Sequence, residues 1–378
     1  MDRCPVEIVS EIISLACTDG GATGCSLSLV SKGMALTSEP FRFQSVALSG
    51  LRQISKFLEM SEGGPGRKIR HLFLCDRKAQ EAYEAFGYGH LGLPKPDGSR
   101  LPSREWEKQY ISDHKAASLF NALVLPLLQS AADVLETLSI IMFNPRQDHV
   151  FSKVLCAATF PVLADFSLRQ PYTGGIPFTS ASMQGYLPET CIKMPRLERL
   201  NVVLGTSLLS TNPHETNWCR FPWAGIAMAL CSSASLKSIR ISEMPDFDRN
   251  DRMAQVMVYF LRLGDVYLPA TYPSDQFLRL PCAGPSRRRR IAIQPVLPVG
   301  GNAHNRLDKI RGQLDYLVAI DRFHTQKQTG DDGDLTLFAL DPAPRAKYED
   351  WMAEWLARQA VESHIAREDI LFRNMRLV

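Results

Sequence analysis

The chain has 378 residues, of which 45% are hydrophobic and 22% charged, as is ordinary for a globular protein with a sizeable core. Its 43 basic and 40 acidic side chains leave a net charge of +3, so we expect neither a nucleic-acid nor a membrane partner. The nine cysteines form no Cys-x-x-Cys pair, and no run of about 18 apolar residues occurs, which predicts reduced thiols, a cytoplasmic or nuclear location and no membrane span.

The first part of the chain, residues 1–50, is predicted to be a compact helical module. Pro5 suits the first turn of a helix, and apolar residues recur at helical spacing after it. The glycine-rich segment Thr18–Gly24 is predicted to break that helix. A second apolar run, Leu27–Leu36, predicts further helix, and an extended stretch at 41–48 closes the module.

A six-residue pattern, apolar-x-x-apolar-x-apolar, recurs through the rest of the chain. Because its last two apolar positions alternate, each copy predicts a short strand with one buried face. The spacing between copies leaves room for a return helix, for example at 224–230 and 253–263, as in strand–helix repeats. The copies are Ile69/Leu72/Leu74, Leu135/Leu138/Ile140, Leu163/Phe166/Leu168, Leu197/Leu200/Val202, Leu236/Ile239/Ile241 and Leu263/Val266/Leu268, with Leu335/Phe338/Leu340 as a seventh candidate.

This repetition predicts an α/β fold in which a three-helix module precedes an irregular solenoid of parallel strands, adjacent in sequence order in one curved sheet. The array is predicted to span 51–270, with an insertion at 77–118 that runs into a helix at about 118–128. The Pro- and Gly-rich stretch 271–302 is interpreted as a linker or loop. Residues 303–378 are predicted to supply helices and a strand that cap the array.

The side chains between the buried positions of each strand are predicted to share the opposite, concave face. Neighbouring strands lie about 4.8 Å apart, so arginines on successive strands could meet one phosphorylated or acidic group of a target protein. The alternative is that Asp165 and Asp265 neutralise these arginines as ordinary ion pairs. The candidate target-binding residues are Arg169, Arg199, Asn201, Arg240 and Tyr267.

Two features near the C-terminus complete the pattern. A final helix at about 347–361 places Tyr348, Trp351, Met352, Trp355 and Gln359 on one side, and we expect it to cover the exposed end of the array. The basic run at 287–290 is either a nuclear-localisation or polyanion-binding segment or a solvated loop.

Three short runs at the start of the chain resemble the F-box. They are Cys4–Ile13, Leu27–Lys32 and Pro40–Phe43, and they match the order and spacing of that family's Leu-Pro-x-Glu-[Ile/Leu], Leu-x-x-Val-[Cys/Ser]-[Lys/Arg] and Pro-x-[Leu/Phe] segments. The strand–helix copies resemble degenerate leucine-rich repeats. The combination is similar to the divergent F-box-like proteins of mushroom-forming fungi.

The resemblance implies the substrate-recognition subunit of an SCF-type (Skp–cullin–F-box) ubiquitin ligase. The F-box would dock on a Skp-type adaptor, which joins it to a cullin scaffold, and the repeats would hold an unidentified protein target. The implied adaptor-binding residues are Pro5, Val6, Ile8, Ile12, Leu15, Leu29, Val30, Lys32 and Phe41.

Other interpretations remain open. The first 48 residues could be a plain cap on the repeats, and the protein a repeat scaffold for protein–protein interaction without a ligase connection. An enzyme on an α/β repeat frame is the third possibility, although no catalytic constellation, metal-ligand spacing or cofactor motif is found. We therefore expect no catalytic residues, no metal and no cofactor.

Overall fold

The structure is a computed structural model. It describes residues 4–61, 68–78, 103–144, 158–171, 194–205, 235–244, 266–269, 277–280, 290–295, 337–344 and 346–360, together with residue 155 and single residues between 305 and 319. The predicted helices at 224–230 and 253–263 and most of the insertion at 77–118 lie outside these ranges.

Three short helices form the start of the chain: α1 (Val6–Ala16), α2 (Ala22–Val30) and α3 (Lys32–Ser38). The turn between α1 and α2 depends on Gly20 and Gly21, whose φ angles of 78° and 99° are strained for other residues. The break is shorter than predicted, because α2 already begins at Ala22 and includes Gly24. Ser31 is the N-cap of α3, and its side chain accepts a hydrogen bond from the Met34 backbone N–H.

The strands of the described residues are β1 (Ser45–Ser49), β2 (His71–Cys75), β3 (Thr137–Ile141), β4 (Asp165–Pro171), β5 (Arg199–Gly205), β6 (Ser238–Met244), β7 (Val266–Pro269), β8 (Phe277–Leu280), β9 (Arg290–Pro295) and β10 (Leu337–Ala339). Eight of these strands form one parallel sheet in the order β1-β2-β3-β4-β5-β6-β9-β10. The other two, β7 and β8, pair antiparallel to each other outside this sheet.

The order of the first five pattern-derived strands is confirmed. Their middle apolar residues lie in register across β2 to β6, and every pairing is parallel. The aligned residues are Leu72, Leu138, Phe166, Leu200 and Ile239. The seventh candidate also contributes, since β10 pairs with β9 at the edge of the sheet.

The prediction was wrong for the sixth copy and for the linker. Val266 begins β7, which pairs with β8 and is not part of the eight-stranded sheet. The strand that pairs with β6 is β9. Both β8 and β9 fall within 271–302, which was interpreted as a linker or loop. The stretch 41–48 also gains a role, because β1 is the first strand of the sheet.

The main core lies on one side of this sheet. It joins the alternate apolar residues of the strands to two helices, α4 (Leu51–Ser61) and α5 (Ser103–Ala131), which contact each other. The predicted helix at 118–128 is thus the second half of a longer one. Ile54 from α4 and Phe120, Val124 and Leu128 from α5 are completely buried against the strands.

A last helix, α6 (Tyr348–Ala360), lies against the other side of the sheet. Its apolar side contacts β2 and β3, where Phe73 and Ile141 point away from the main core. The helix was expected to cover the end of the array, but it covers the face instead. The apolar residues that β2 and β3 carry on this face, Phe73, Cys75 and Ile141, would otherwise lie in water, and α6 buries them.

Candidate functional site

Seven large apolar side chains of α1, α2 and α3 are exposed, and together they form the N-terminal apolar face. More than half of the surface of each residue is exposed to solvent, up to 86% for Leu29, whereas the exposed fraction of a core residue such as Leu72 is 0%. Isolated exposed apolar residues are normal, but seven on three short helices of one small unit, with Ile8, Ile12 and Leu15 on the same side of α1, indicate an interaction surface. The members are Val6, Ile8, Ile12, Leu15, Leu29, Val30 and Leu36.

The module is held to the sheet by its opposite side. Ile13 of α1 and Cys17, which follows the end of that helix, are buried, and the Gln44 side chain beside β1 donates a hydrogen bond to the Ser14 carbonyl. The backbone of Gly20 bonds to β1 through Ser45 and Ala47. The exposed apolar residues therefore take no part in attaching the module.

The structure places the nine predicted adaptor-binding residues at the surface. Pro5 and Lys32 are exposed, Phe41 is half-buried, and the other six belong to the N-terminal apolar face. The seventh member of that face, Leu36, was missed as a site residue, although the apolar run Leu27–Leu36 contained it. Their exposure leaves these residues accessible to a partner protein.

The predicted target-binding face is covered by α6. On the half above β2 and β3, Trp351 and Trp355 pack with Phe73 and Phe143 into a second, smaller core. The Phe73 ring lies 5.5 Å from the Trp355 ring and 5.8 Å from Tyr348, centroid to centroid. The Tyr348 hydroxyl hydrogen-bonds the Ser49 hydroxyl of β1, which aligns the start of α6 with the end of that strand.

Charged residues connect α6 to β4, β5 and β6. Arg358 of α6 and Arg199 of β5 bind the two carboxylate oxygens of Asp165, each at 2.8 Å. Glu354 accepts hydrogen bonds from Arg358 and, at 3.2 Å, from Arg240 of β6. The five groups form one network, in which three guanidinium groups face two carboxylates.

The pKa values of both carboxyl groups reflect this network. Burial alone would raise the pKa of Asp165, but the guanidinium groups of Arg358 and Arg199 outweigh burial and hold that pKa below its ordinary value. For Glu354, burial is likewise outweighed by Arg358 and Arg240, and its pKa is also lowered. Both carboxylates are therefore charged at neutral pH and hold α6 on the sheet.

The three predicted arginines do not converge on one anionic group. Arg169 is buried, donates to the Met142 carbonyl at 2.6 Å and lies 4.3 Å from the centre of the Phe143 ring. Arg199 pairs with Asp165, as the ion-pair alternative held, and Arg240 donates to Gln294 and Glu354. The prediction of a free arginine cluster was wrong, because the chain supplies its own carboxylate.

Of the remaining predicted residues, Asn201 is buried under α6 and its side-chain amide lies 3.5 Å from Glu354. Tyr267 lies in β7, outside the eight-stranded sheet, and so does not share this face. The residues that sequence reasoning missed are Glu354 and Arg358. Their signal was present, since they are charged residues flanking the two tryptophans of an amphipathic helix.

The interface under α6 is incompletely hydrogen-bonded. Six buried polar atoms on α6, β5 or β6 have no hydrogen-bond partner among the described residues. A cavity of about 20 Å³, room for about one water molecule, lies between Asn201, Arg240 and Arg358. The atoms are Asn201 Oδ1, Arg240 Nε, Ser242 Oγ, Trp351 Nε1, Trp355 Nε1 and Arg358 Nε.

A separate groove of about 730 Å³ follows the start of the strands and is open to solvent. Its lining alternates basic and acidic side chains, among them Arg70 and Glu136, which are joined by a 2.7 Å ion pair. Within the described ranges, no three His, Cys, Asp or Glu side chains are grouped so that they could hold a metal ion. The groove therefore presents no convergent chemistry.

No protein-family model, curated protein or solved structure matches the chain. Among the helices that the structure describes, none combines the length and the apolar character needed to span a membrane.

Proposed function

We propose that the protein is the substrate-recognition subunit of an SCF-type ubiquitin ligase. Helices α1 to α3 would form an F-box-like module that docks on a Skp-type adaptor and, through it, on a cullin scaffold. The strands β2 to β6 with their helices would form a leucine-rich-repeat-like array that holds a target protein. The observation that carries this proposal is the N-terminal apolar face.

Leaving the N-terminal apolar face in water costs free energy. Fully burying one Val, Leu or Ile side chain stabilises a protein by about 1.5–3 kcal/mol. The N-terminal apolar face leaves seven such side chains exposed on a unit that attaches to the sheet by other residues. A partner that covers them gains several such contributions at once, and the resemblance of Cys4–Ile13 and Leu27–Lys32 to the F-box names the adaptor as that partner.

The second half of the proposal is supported by the sheet. Its first six strands are parallel and adjacent in sequence order, which is the connectivity of a strand–helix repeat array. The alternate apolar residues of these strands join one core cluster with residues of α4 and α5 on one side of the sheet, as in stacked repeats. The array would act by binding and would contribute no catalytic residue, metal or cofactor, in the cytoplasm or the nucleus.

The test replaces two members of the N-terminal apolar face by charges. Chain carrying Ile8→Asp and Ile12→Asp should lose co-purification with a Skp-type adaptor, because a charge in a desolvated interface is costly. The matched control carries Ile111→Asp and Leu119→Asp, two exposed apolar residues of α5. The control should bind the adaptor as the wild type does, and both variants should keep wild-type circular dichroism.

If wild-type chain binds no adaptor, the ligase role is overturned. A repeat scaffold without a ligase connection is then the better account, because the exposed apolar face would still serve a different protein partner. Equal loss of adaptor binding in both variants would show that the N-terminal apolar face is not the docking surface.

A further inference from the structure

The covered face of the sheet carries features of a binding site. It combines aromatic and aliphatic residues above β2 and β3 with two arginines, Arg199 and Arg240, above β5 and β6. A face that served only as core would be uniformly apolar, as the opposite face is. Aromatic residues and arginines are the side chains enriched in protein–protein interfaces, and complementary charges there select the partner.

The helix α6 occupies this face in the manner of a bound peptide. Trp351 and Trp355 lie four residues apart and pack into the apolar half. Glu354 and Arg358 form ion pairs with Arg240 and Asp165 in the polar half. This is the helix-in-groove mode, in which side chains at successive turns anchor an amphipathic helix. The helix also carries its own start signal, because the Asp350 carboxylate accepts a 2.8 Å hydrogen bond from the Lys347 backbone.

The fit between α6 and the face is incomplete. The indole N–H groups of both tryptophans and the Nε of Arg358 are buried without a hydrogen-bond partner among the described residues, as is Asn201 Oδ1 on the sheet. Buried donors and acceptors are normally satisfied, and each orphaned group weakens the association. A different helix that buries no unpaired donor of its own, and that offers a donor to Asn201 Oδ1 and an acceptor to Arg240 Nε, would therefore bind this face more tightly than α6 does.

We propose that this face of the sheet is a binding site for an amphipathic helix, that α6 is its built-in occupant, and that a helix of the target protein binds by displacing α6. The target helix would carry two aromatic residues four positions apart and a carboxylate at the place of Glu354, where Arg240 and Asn201 receive it. The inference rests on the proposed function for calling this partner a target. The site itself is defined by α6.

The probe is a synthetic fluorescent peptide with the sequence of residues 346–360. The tethered α6 competes at a high effective concentration, so wild-type chain should bind the peptide weakly. Full-length chain carrying Trp355→Ala, in which the resident helix is loosened, should bind it at least tenfold more tightly by fluorescence anisotropy. Adding Arg240→Glu to that chain should remove the gain, and a peptide with both tryptophans replaced by alanine should not bind.

Hydrogen exchange on the wild-type chain provides a second measurement that needs no variant. The amides of α6 should exchange at least 100-fold faster than those of β3, because the helix leaves the face while the sheet stays intact. Equal protection of α6 and β3, loss of the whole fold in the Trp355→Ala chain, or a folded Trp355→Ala chain that ignores the peptide would each overturn the inference. None of these readouts involves the adaptor, so failure here is distinct from failure of the ligase role.

Discussion

The first and the last helix of the described chain make a useful comparison. Both α1 and α6 are amphipathic, yet α1 leaves Ile8, Ile12 and Leu15 in water, and α6 buries Trp351 and Trp355 on the sheet. The difference lies in what faces each helix. Phe73 and Ile141 of the sheet pack against α6, whereas no described residue buries the outer side of α1. An amphipathic pattern thus indicates that a helix needs a partner, but it does not say whether the partner is the same chain.

The largest expected effect tests the buried side of this comparison. Trp355→Ala removes a side chain that is 1% exposed and packs against Phe73, so unfolding free energy should fall by about 3–5 kcal/mol. Urea denaturation followed by circular dichroism measures it. Ala353→Gln, on the exposed side of the same helix, is the control and should change the free energy by no more than about 0.5 kcal/mol.

The next effect concerns the ion pairs that hold α6. Asp165→Asn removes the partner of both Arg199 and Arg358, and breaking a buried pair costs about 3 kcal/mol because the remaining charge is uncompensated. Glu198→Gln is the matched control, since the ion pair of Glu198 with Lys237 is exposed and should contribute less than about 1 kcal/mol. Equal losses in the two variants would contradict the buried network.

Acid should release α6 by the same network. The folded pKa values of Asp165 and Glu354 lie below their ordinary values, so their stabilisation is complete above the unfolded pKa of about 4 and is lost as pH falls through the lowered folded values. At Asp76 burial prevails, so the pKa of Asp76 is raised although hydrogen bonds from the Phe143 and Asn144 backbone partly offset the effect of burial. Tryptophan fluorescence between pH 6 and pH 2 should report the release, and the Asp165→Asn chain should show a smaller change over that range.

A smaller effect is expected where the N-terminal module turns back on the sheet. Gly24 in α2 is buried, and a Cβ there would lie 2.8 Å from the Arg42 carbonyl oxygen. Gly24→Ala should therefore lower the unfolding free energy by about 1–3 kcal/mol, since backbone cannot move aside as a flexible side chain can. Gly33→Ala, where the nearest atom is a side-chain oxygen at 3.9 Å, is the control and should be neutral or slightly stabilising.

The strand pattern was predictable because it depends on a period of two and a fixed entry residue. Val46 and Leu48 of β1 carry the same pattern with Phe43 as entry residue, so this strand could have been found by extending the search upstream of the first copy, which begins at Ile69. By contrast, β9 could not have been found, because Arg288 stands where the pattern needs an apolar residue and prolines surround it. Val266 satisfied the pattern by coincidence, and nothing local distinguishes a strand that joins a sheet from one that pairs elsewhere.

The site residues divide along similar lines. Exposure of Ile8 and Leu29 followed from helical spacing in a unit too small to bury two apolar sides. Arg169, Arg199 and Arg240 were correctly placed on the face opposite the core, but their partners Met142, Asp165 and Glu354 are 27, 34 and 114 residues away in sequence. Long-range pairing of this kind has no local signal, so a surface that looked free was occupied.

The smallest stability effect gives the sharpest contrast with Trp355. Ile12 is 57% exposed in α1, so Ile12→Ser should change unfolding free energy by no more than about 0.5 kcal/mol. The same substitution should weaken adaptor co-purification under the proposed function, because it removes apolar surface that only a partner would bury. Ile13→Ser, on the buried side of the same helix turn, should instead destabilise the chain by more than about 2 kcal/mol, since it leaves a hydroxyl and a cavity where Ile13 is 3% exposed. If Ile12→Ser destabilised the chain as strongly as Ile13→Ser, the outer side of α1 would be packed against this same chain and would not be available to an adaptor.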